Sequence, residues 1–407
     1  MKPAHELAGE LARYERILVA VDSSPDSETA TAEVVRVAAL LGAEVTGLHA
    51  YAARLHDQRF RQMEGVLPPQ FQQEDELDRQ RGVHDKLITR GLGLISDSYL
   101  DQTERACEEA GVPFRRLGAE GKNYRVILDQ AAGAEHDLLV LGFQGLGAVR
   151  SSVPGSVCVR VARQTSIDTL IVKSGARPLG SGPIVVGVDG SERSFGAVVT
   201  ASALARCLEV PVHLVAVYDP HFHTVAFDRI GEVISEAAGK VFKLKEQEKL
   251  HGEIIDSGLA QIYQTHLDVA HEVARSAGSE PQSVLLAGKP YDALLRYLDE
   301  VEASLVVVGK LGIHADDGLD IGGNTEQLLC LSSTHMLIGC REHTPDVELV
   351  AEQTLSWTEE AETRLERVPA SFRNMVRKAI GAWALERGHA VVTVSVVEQA
   401  KSELLPR

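Results

Sequence analysis

One offset of 167 positions carries the first part of this chain onto the second. RILVAVDSSPDS (16–27) returns as PIVVGVDGSERS (183–194), so that Asp22 falls on Asp189. Gly142, Gly145 and Gly155 fall on Gly309, Gly312 and Gly322. Tyr51 falls on Tyr218, Phe60 on Phe227, Gly91-Leu92 on Gly258-Leu259 and Gly121-Lys122 on Gly288-Lys289. An offset that never drifts means two copies of equal length, and hence two homologous domains in tandem. At 407 residues the chain also exceeds what one compact core holds. The first domain is expected over 1–174, the second over 182–343 and a small helical domain over 357–407.

Each copy alternates short apolar runs with helical patterns. ILVAVD (17–22) is a β-branched run ending in Asp, and apolar residues then recur at helical spacing from Ser27 to Leu41, closed by Gly42. EVTGLHAY (44–51) is expected as the second strand, 74–110 as a long helix and VPFRRLG (112–118) as the third strand. NYRVILDQAA (123–132) follows as a helix and DLLVLG (137–142) as the fourth strand. GSVCVRVARQ (155–164) is a further helix and DTLIVK (168–173) the last strand. Strands apolar on both faces and alternating with helices call for a parallel sheet covered by helices. Right-handed crossovers then make it an open, doubly wound α/β domain. SGARPLGSGP (174–183) is expected to link the copies, and 341–356 to form a second, charged linker.

Hydrophobic residues at 44% and charged residues at 24% describe an ordinary globular chain. The formal net charge of −17 disfavours nonspecific binding to nucleic acid or anionic membrane, yet leaves room for a local anion pocket made of backbone N–H groups. Aromatic residues at 5% argue against a carbohydrate- or base-stacking surface. Scattered cysteines without a CxxC pair point to packed, reduced thiols. The amino terminus lacks the apolar stretch of a signal peptide, and no apolar run approaches the roughly 20 residues that cross a bilayer. A cytoplasmic location is the expectation.

In doubly wound folds ligands bind beyond the carboxyl ends of the strands, where the strand order reverses. Asp22 ends the first strand and Gly142 the fourth, which sets both on one crevice. Gly142 and Gly145 let the backbone turn and approach a ligand with no Cβ in the way. Gly155-Ser156 opens a helix whose free N–H groups and positive dipole end suit a phosphate, and the Ser156 hydroxyl adds a donor. Asp22 is placed to accept hydrogen bonds from ribose hydroxyls. These parts describe a nucleotide pocket; the plainer alternative gives the glycines only turns to make and a helix to cap. There is no GxxxxGK[ST], so the loop is not a P-loop, and no GxGxxG follows the first strand as a dinucleotide fold requires.

The composite of G-x2-G-x9-G-S after the fourth strand and V-D-S/G-S after the first resembles the universal stress proteins, and within them the ATP-binding branch. Both copies agree in order and spacing. The resemblance implies a five-stranded parallel sheet in each copy and ATP, with Mg²⁺, in the crevice. It sets Asp22 near the ribose and Gly142, Gly145, Gly155, Ser156 and Val157 around the phosphates. Asp189, Gly309, Gly312 and Gly322 take the corresponding places in the second copy. It also implies pairing through the last strand, within one chain or in a homo-oligomer, which covers an edge such as DTLIVK.

The second loop, VGKLGIHADDGLDIGGNT (308–325), keeps the glycine spacing but has Gly323 in place of Ser156. It adds Asp316, Asp317 and Asp320 where the first loop has Arg150 and otherwise neutral residues. Carboxylates beside a triphosphate repel it unless Mg²⁺ or Lys310 intervenes, whereas Asn324 and Thr325 are placed to cap the helix. The first copy is therefore the expected ATP site, and the second is either structural or takes another ligand. His56 corresponds to His223 and His84 to His251, and the second copy adds His221, His266 and His271. Two histidines with carboxylates in one pocket could hold Zn²⁺ or another divalent ion. Common descent keeps merely packed histidines equally well, and no HExxH-type pair occurs. Lys122 and Lys289 each follow a glycine at a helix start, which leaves them either exposed or reaching into the crevice.

Residues 357–400 open on Trp357 and set Leu365, Val368, Phe372, Val376 and Ile380 at helical spacing on one face. The W…P-x-x-x-R…G-x-x-x-x-T pattern resembles the small C-terminal helical domain of light-independent protochlorophyllide reductase. That implies contact with a tetrapyrrole or a partner protein; a docking module reused across proteins is the plainer reading. No nucleophile–His–carboxylate set occurs at motif spacing, so a nucleotide-dependent regulatory module of a stress response is expected rather than an enzyme. Slow ATP hydrolysis, a metal- or tetrapyrrole-binding role using the second domain, and a ligand-free scaffold are the alternatives.

Overall fold

The structure is a computed structural model that describes residues 14–148, 153–220, 256–316 and 318–404. Arg150, His221, His223, Phe227, His251, Glu253 and Asp317 lie outside the described residues.

In the first unit Ser24 caps the opening helix α1 (Pro25–Leu41): its Oγ accepts from the Ser27 N–H at 3.2 Å. Gly42 closes that helix in the left-handed region at φ 67°, where a Cβ would be unfavourable. The strands of this unit are β1 (Arg16–Ala20), β2 (Glu44–Tyr51), β3 (Phe114–Glu120), β4 (Leu138–Gly142) and β5 (Asp168–Val172). Those of the second unit are β6 (Ile184–Gly187), β7 (Val212–Tyr218), β8 (Gln282–Ala287), β9 (Leu305–Gly309) and β10 (His335–Gly339). All ten join one sheet in the order β3-β2-β1-β4-β5-β10-β9-β6-β7-β8. Within each unit every pairing is parallel, and only β5 and β10 run antiparallel, with Leu170 opposite Leu337. The two parallel halves therefore pair through their last strands inside one chain.

The apolar runs are continuous because both faces of the sheet are buried. Ile17 and Val19 of β1 join the core on one face and Leu18 the core on the other, all without exposure. One face is covered by α1, α3 (Glu74–Ala110), α6 (Glu192–Leu208) and α7 (Asp256–Ser276). The other carries α4 (Asn123–Ala132), α5 (Ser156–Gln164), α8 (Pro290–Glu300) and α9 (Gly323–Leu331). Helix α3 buries Ser96, Leu100, Thr103 and Cys107 along one stripe. Its amino-terminal half pairs instead with α2 (Ala53–Met63) and the turn after it, through the Phe60–His84 stack at 4.2 Å and the Arg81–Glu64 ion pair at 2.6 Å.

At the joint, one hydrogen bond is made twice by different side chains. Asp168, at the start of β5, accepts from the N–H of Cys340 just past β10 at 2.7 Å. Its counterpart His335, at the start of β10, accepts at Nδ1 from the N–H of Lys173 just past β5 at 3.2 Å. Asp168 also accepts from the Tyr14 hydroxyl at 2.7 Å and pairs with Arg341 at 3.1 Å. A buried carboxylate is stable only when so completely partnered.

Three expectations from the sequence are corrected. The third strand starts at Phe114 rather than 112, because Pro113 has no N–H to give; its carbonyl instead accepts from Val45 at 2.9 Å. The segment 341–356 is not simply a linker: it holds α10 (Val347–Thr354), whose Leu349 and Val350 pack against the core of the second unit. The apolar stripe from Leu365 to Ile380 is not one face either. Pro369 ends one helix, α11 (Glu359–Glu366), and caps the next, α12 (Ala370–Glu386), leaving Leu365 and Ile380 buried but Phe372 55% exposed. The small domain is completed by the parallel pair β11 (Ser356–Trp357) and β12 (Val391–Val392) and by α13 (Val394–Leu404).

Candidate functional site

The strand order reverses between β1 and β4, and a cavity of ≈ 900 Å³ opens beyond their carboxyl ends. Asp22, Gly142, Gly145, Gly155, Ser156 and Val157 all line it. The glycines are required by close approach. A Cβ on Gly142 would lie 2.9 Å from the Ser27 nitrogen, and one on Gly145 2.5 Å from Asp22 Oδ2. Asp22 is thereby part of the loop's own framework: Oδ2 accepts from the Leu146 N–H at 3.2 Å and Oδ1 from the Ser24 N–H at 3.1 Å. Each carboxylate oxygen keeps a further lone pair for a ligand.

Three residues given no role of their own by the sequence hold the loop in place. Ser24 Oγ donates to the Gln144 carbonyl at 3.0 Å, and Asp26 accepts from the Gln144 N–H at 2.8 Å and from the Ser174 N–H at 2.7 Å. Gln144 Nε2 in turn donates to the Val153 carbonyl at 2.6 Å. Ser24 was findable, since Ser191 repeats it at the common offset; Asp26 and Gln144 were not, since Arg193 and Leu311 replace them. Beyond the loop the chain turns at Gly155, whose N–H donates to the Phe143 carbonyl at 2.8 Å, and enters α5 with no side-chain cap. The first N–H groups of α5, which have no intrahelical acceptor in any helix, thus lack a side-chain cap as well, and Ser156, Val157 and Cys158 line the cavity.

The opposite wall comes from β2, α2 and α3: His49, Tyr51, His56 and Tyr99 line it. The Tyr99 ring meets His49 edge-on at 5.0 Å and 88°. Burial lowers the pKa of His49 while the Asp22 carboxylate opposes the shift, and His49 Nδ1 is buried with no partner among the described residues. Of the two metal candidates among the described residues, His56 and His84, only His56 lines the cavity. His84 stacks on Phe60 instead, and the described residues hold no cluster of three His, Cys, Asp or Glu side chains fit for a metal.

The second unit repeats the latch. Asp189 Oδ2 accepts from the Ile313 N–H at 3.0 Å and Oδ1 from the Ser191 N–H at 3.0 Å, and a Cβ on Gly312 would collide with Asp189 Oδ2. Asp189, Gly309, Gly312 and Gly322 line a cavity of ≈ 240 Å³. Much of its lining is apolar, including Tyr263, Tyr291, Leu294 and Val308. Asn324 and Thr325 do not cap α9; Thr325 Oγ1 donates to the Gly309 carbonyl at 2.9 Å because its position lies inside the first turn. Asp316 and Asp320 are exposed and do not line the cavity, so these two carboxylates give the expected repulsion no geometric basis, while Asp317 lies outside the described residues. Lys310 does not turn to this cavity: its Nζ donates to the Thr165 carbonyl of the first unit at 2.6 Å. His266 packs against Gly190 and near Tyr263, and burial lowers its pKa against the pull of Asp189. His271 faces Ser283 at 3.2 Å, and Lys289 pairs with Asp219 at 2.6 Å.

A doubly wound sheet, a crevice at its reversal point and a glycine loop running into an uncapped helix define a class of α/β domain that holds its ligand between loop and strand ends. The chain belongs to the universal stress protein family, which matches it twice, over residues 13–173 and 181–338. Residues 357–401 match the family of the proto-chlorophyllide reductase 57 kD subunit. A universal stress protein of Mycobacterium tuberculosis is 29% identical over 140 residues, 34% of this chain and 82% of that protein. A subunit of the light-independent protochlorophyllide reductase of Chlorobium limicola is 33% identical over 115 residues, 28% of this chain and 18% of that protein's length. A solved universal stress protein from Archaeoglobus fulgidus shares the fold with a TM-score of 0.52 at 14% identity, over 79% of this chain and 97% of its own. No helix among the described residues is long and apolar enough to cross a membrane.

Proposed function

We propose that the first unit binds an adenine nucleotide, ATP with Mg²⁺ foremost, and that the chain acts in the cytoplasm as a nucleotide-dependent regulatory module of a stress response. The observation that carries this reading is the uncapped amino end of α5, opening on the larger cavity directly after a loop whose glycines leave the backbone bare. The N–H groups of Ser156 and Val157 and the Ser156 hydroxyl would hold the phosphates. Asp22 would take the ribose hydroxyls on its remaining lone pairs. Asp22 is the one carboxylate lining this cavity among the described residues, and both its oxygens already accept backbone N–H bonds. Mg²⁺ would therefore be carried mainly by phosphate oxygens and water.

The direct test is to denature the protein as purified and to identify and count any nucleotide released. Retained adenine nucleotide near one per chain, or a thermal shift on adding Mg-ATP, is the expected result. No released nucleotide together with no shift would remove the reading. Gly145→Val should abolish binding in a folded protein, since its side chain would displace Asp22 or the loop; unchanged affinity by calorimetry would show that close approach at Gly145 is irrelevant to the ligand.

A further inference from the structure

Each loop helix is held at its far end by a lysine from the other unit. Lys310 Nζ donates to the carbonyl of Thr165, the residue that ends α5, at 2.6 Å. In return Lys173 Nζ donates to the carbonyls of Leu329, at 3.3 Å, and of Ser332, the residue that ends α9. Thr165 and Ser332 are counterparts in the duplication, but the lysines are not: Lys310 stands where the first unit has Phe143, and Lys173 where the second has Cys340. The two caps are therefore built from different positions of the repeat. An ion pair between Arg163, in the last turn of α5, and Glu326, in the first turn of α9, ties the two helices together.

Lys310 is itself bolted into the second glycine loop. It follows Gly309, its N–H donates to the Gly339 carbonyl at 2.8 Å, and its own carbonyl accepts from the Gly322 N–H at 2.8 Å. A cation at the carboxyl end of a helix and an anion at the amino end stabilise the same macrodipole. With nine residues, α5 is only about 13 Å long, so both charges act on one short, stiff element.

We propose that Lys310 is a positioning residue for the phosphate end of the first crevice, and that the second unit keeps its glycine loop to present this lysine to α5. The inference rests on the nucleotide reading above. It gives the second unit a role that needs no ligand of its own: a change in its loop alters the hold on the helix that receives the phosphates next door.

The test titrates the full chain with Mg-ATP and, separately, with adenosine, by calorimetry. Lys310→Met should weaken Mg-ATP about three- to fivefold and leave adenosine unchanged, and Lys310→Arg should restore the Mg-ATP affinity. Lys310→Gln, which keeps a donor but not the charge, serves if the Met variant does not fold, with the same selective loss expected. Gly312→Val, which pushes on the second loop at Asp189, should weaken Mg-ATP in the parent chain and add nothing in the Lys310→Met background. Equal weakening of Mg-ATP and adenosine would make Lys310 a merely structural residue, and an unchanged Mg-ATP affinity or fully additive effects would equally overturn the proposal. A parent chain that binds adenosine and Mg-ATP alike rules out a phosphate role for α5 while sparing the crevice, whereas one that binds neither takes down the nucleotide reading and this inference with it.

Discussion

His335 is fully buried, and its Nδ1 is committed to the Lys173 N–H, so a proton there would break a hydrogen bond inside the joint. Burial first, with the nearby Lys173 and Arg36 charges, pushes its pKa down to about 4 against the opposing pull of Glu33. Between that value and its ordinary 6.5 the unfolded chain binds a proton that the folded chain refuses. Stability attributable to this residue is therefore present above pH 6.5 and lost as pH falls towards 4, by about 3 kcal/mol. Denaturant unfolding at pH 7 and pH 5 should show that loss, and His335→Gln should flatten it; an identical pH slope in the variant would place the acid sensitivity elsewhere. This residue was invisible in the sequence for a plain reason. A repeat search rewards identity, whereas His335 matches Asp168, and the shared task is performed by two unlike side chains. The residues of the latch between Asp22 and Gly145, by contrast, repeat with the same types and are found from the offset, although the sequence sets them toward a ligand and not against each other.

At the scale of elements, periodicity located most strands and helices because apolar spacing reports burial directly. It misread the segment containing α10 because the partner of Leu349 and Val350 is a core assembled from residues far away in the chain. Two glycines in helices show how spacing alone is silent on purpose. Gly196 in α6 lies against the Arg341 carbonyl, so Gly196→Ala should destabilise the fold by about 1–3 kcal/mol. Gly91 in α3 has open space around it, so Gly91→Ala should be neutral or stabilise by about 0.5–1 kcal/mol. Denaturant midpoints of the two variants check both signs at once. Asp168→Ala addresses the joint between β5 and β10. It removes the carboxylate shared by the Tyr14 hydroxyl, the Cys340 N–H and Arg341, and a loss of about 3–5 kcal/mol is expected. A variant within about 1 kcal/mol of the parent would mean that the joint relaxes around the missing carboxylate.

For the whole molecule, the duplication foretold two five-stranded sheets, and the expected pairing through the last strands, made here within one chain, joins them into one. The strands left at its edges are β3 and β8. β3 carries Arg115 and Arg116, each committed to acidic partners on its own unit, which discourages further strand addition there. The small terminal domain stands on α10, with Lys378 of α12 reaching Glu348 and Glu352 at 3.9 and 4.0 Å. The antiparallel contact between β5 and β10 is closed within a single polypeptide, so the two halves meet at the effective concentration of tethered modules, about millimolar. Dilution cannot part them, and the loops that share α5 and α9 stay in register however scarce the protein becomes in the cell.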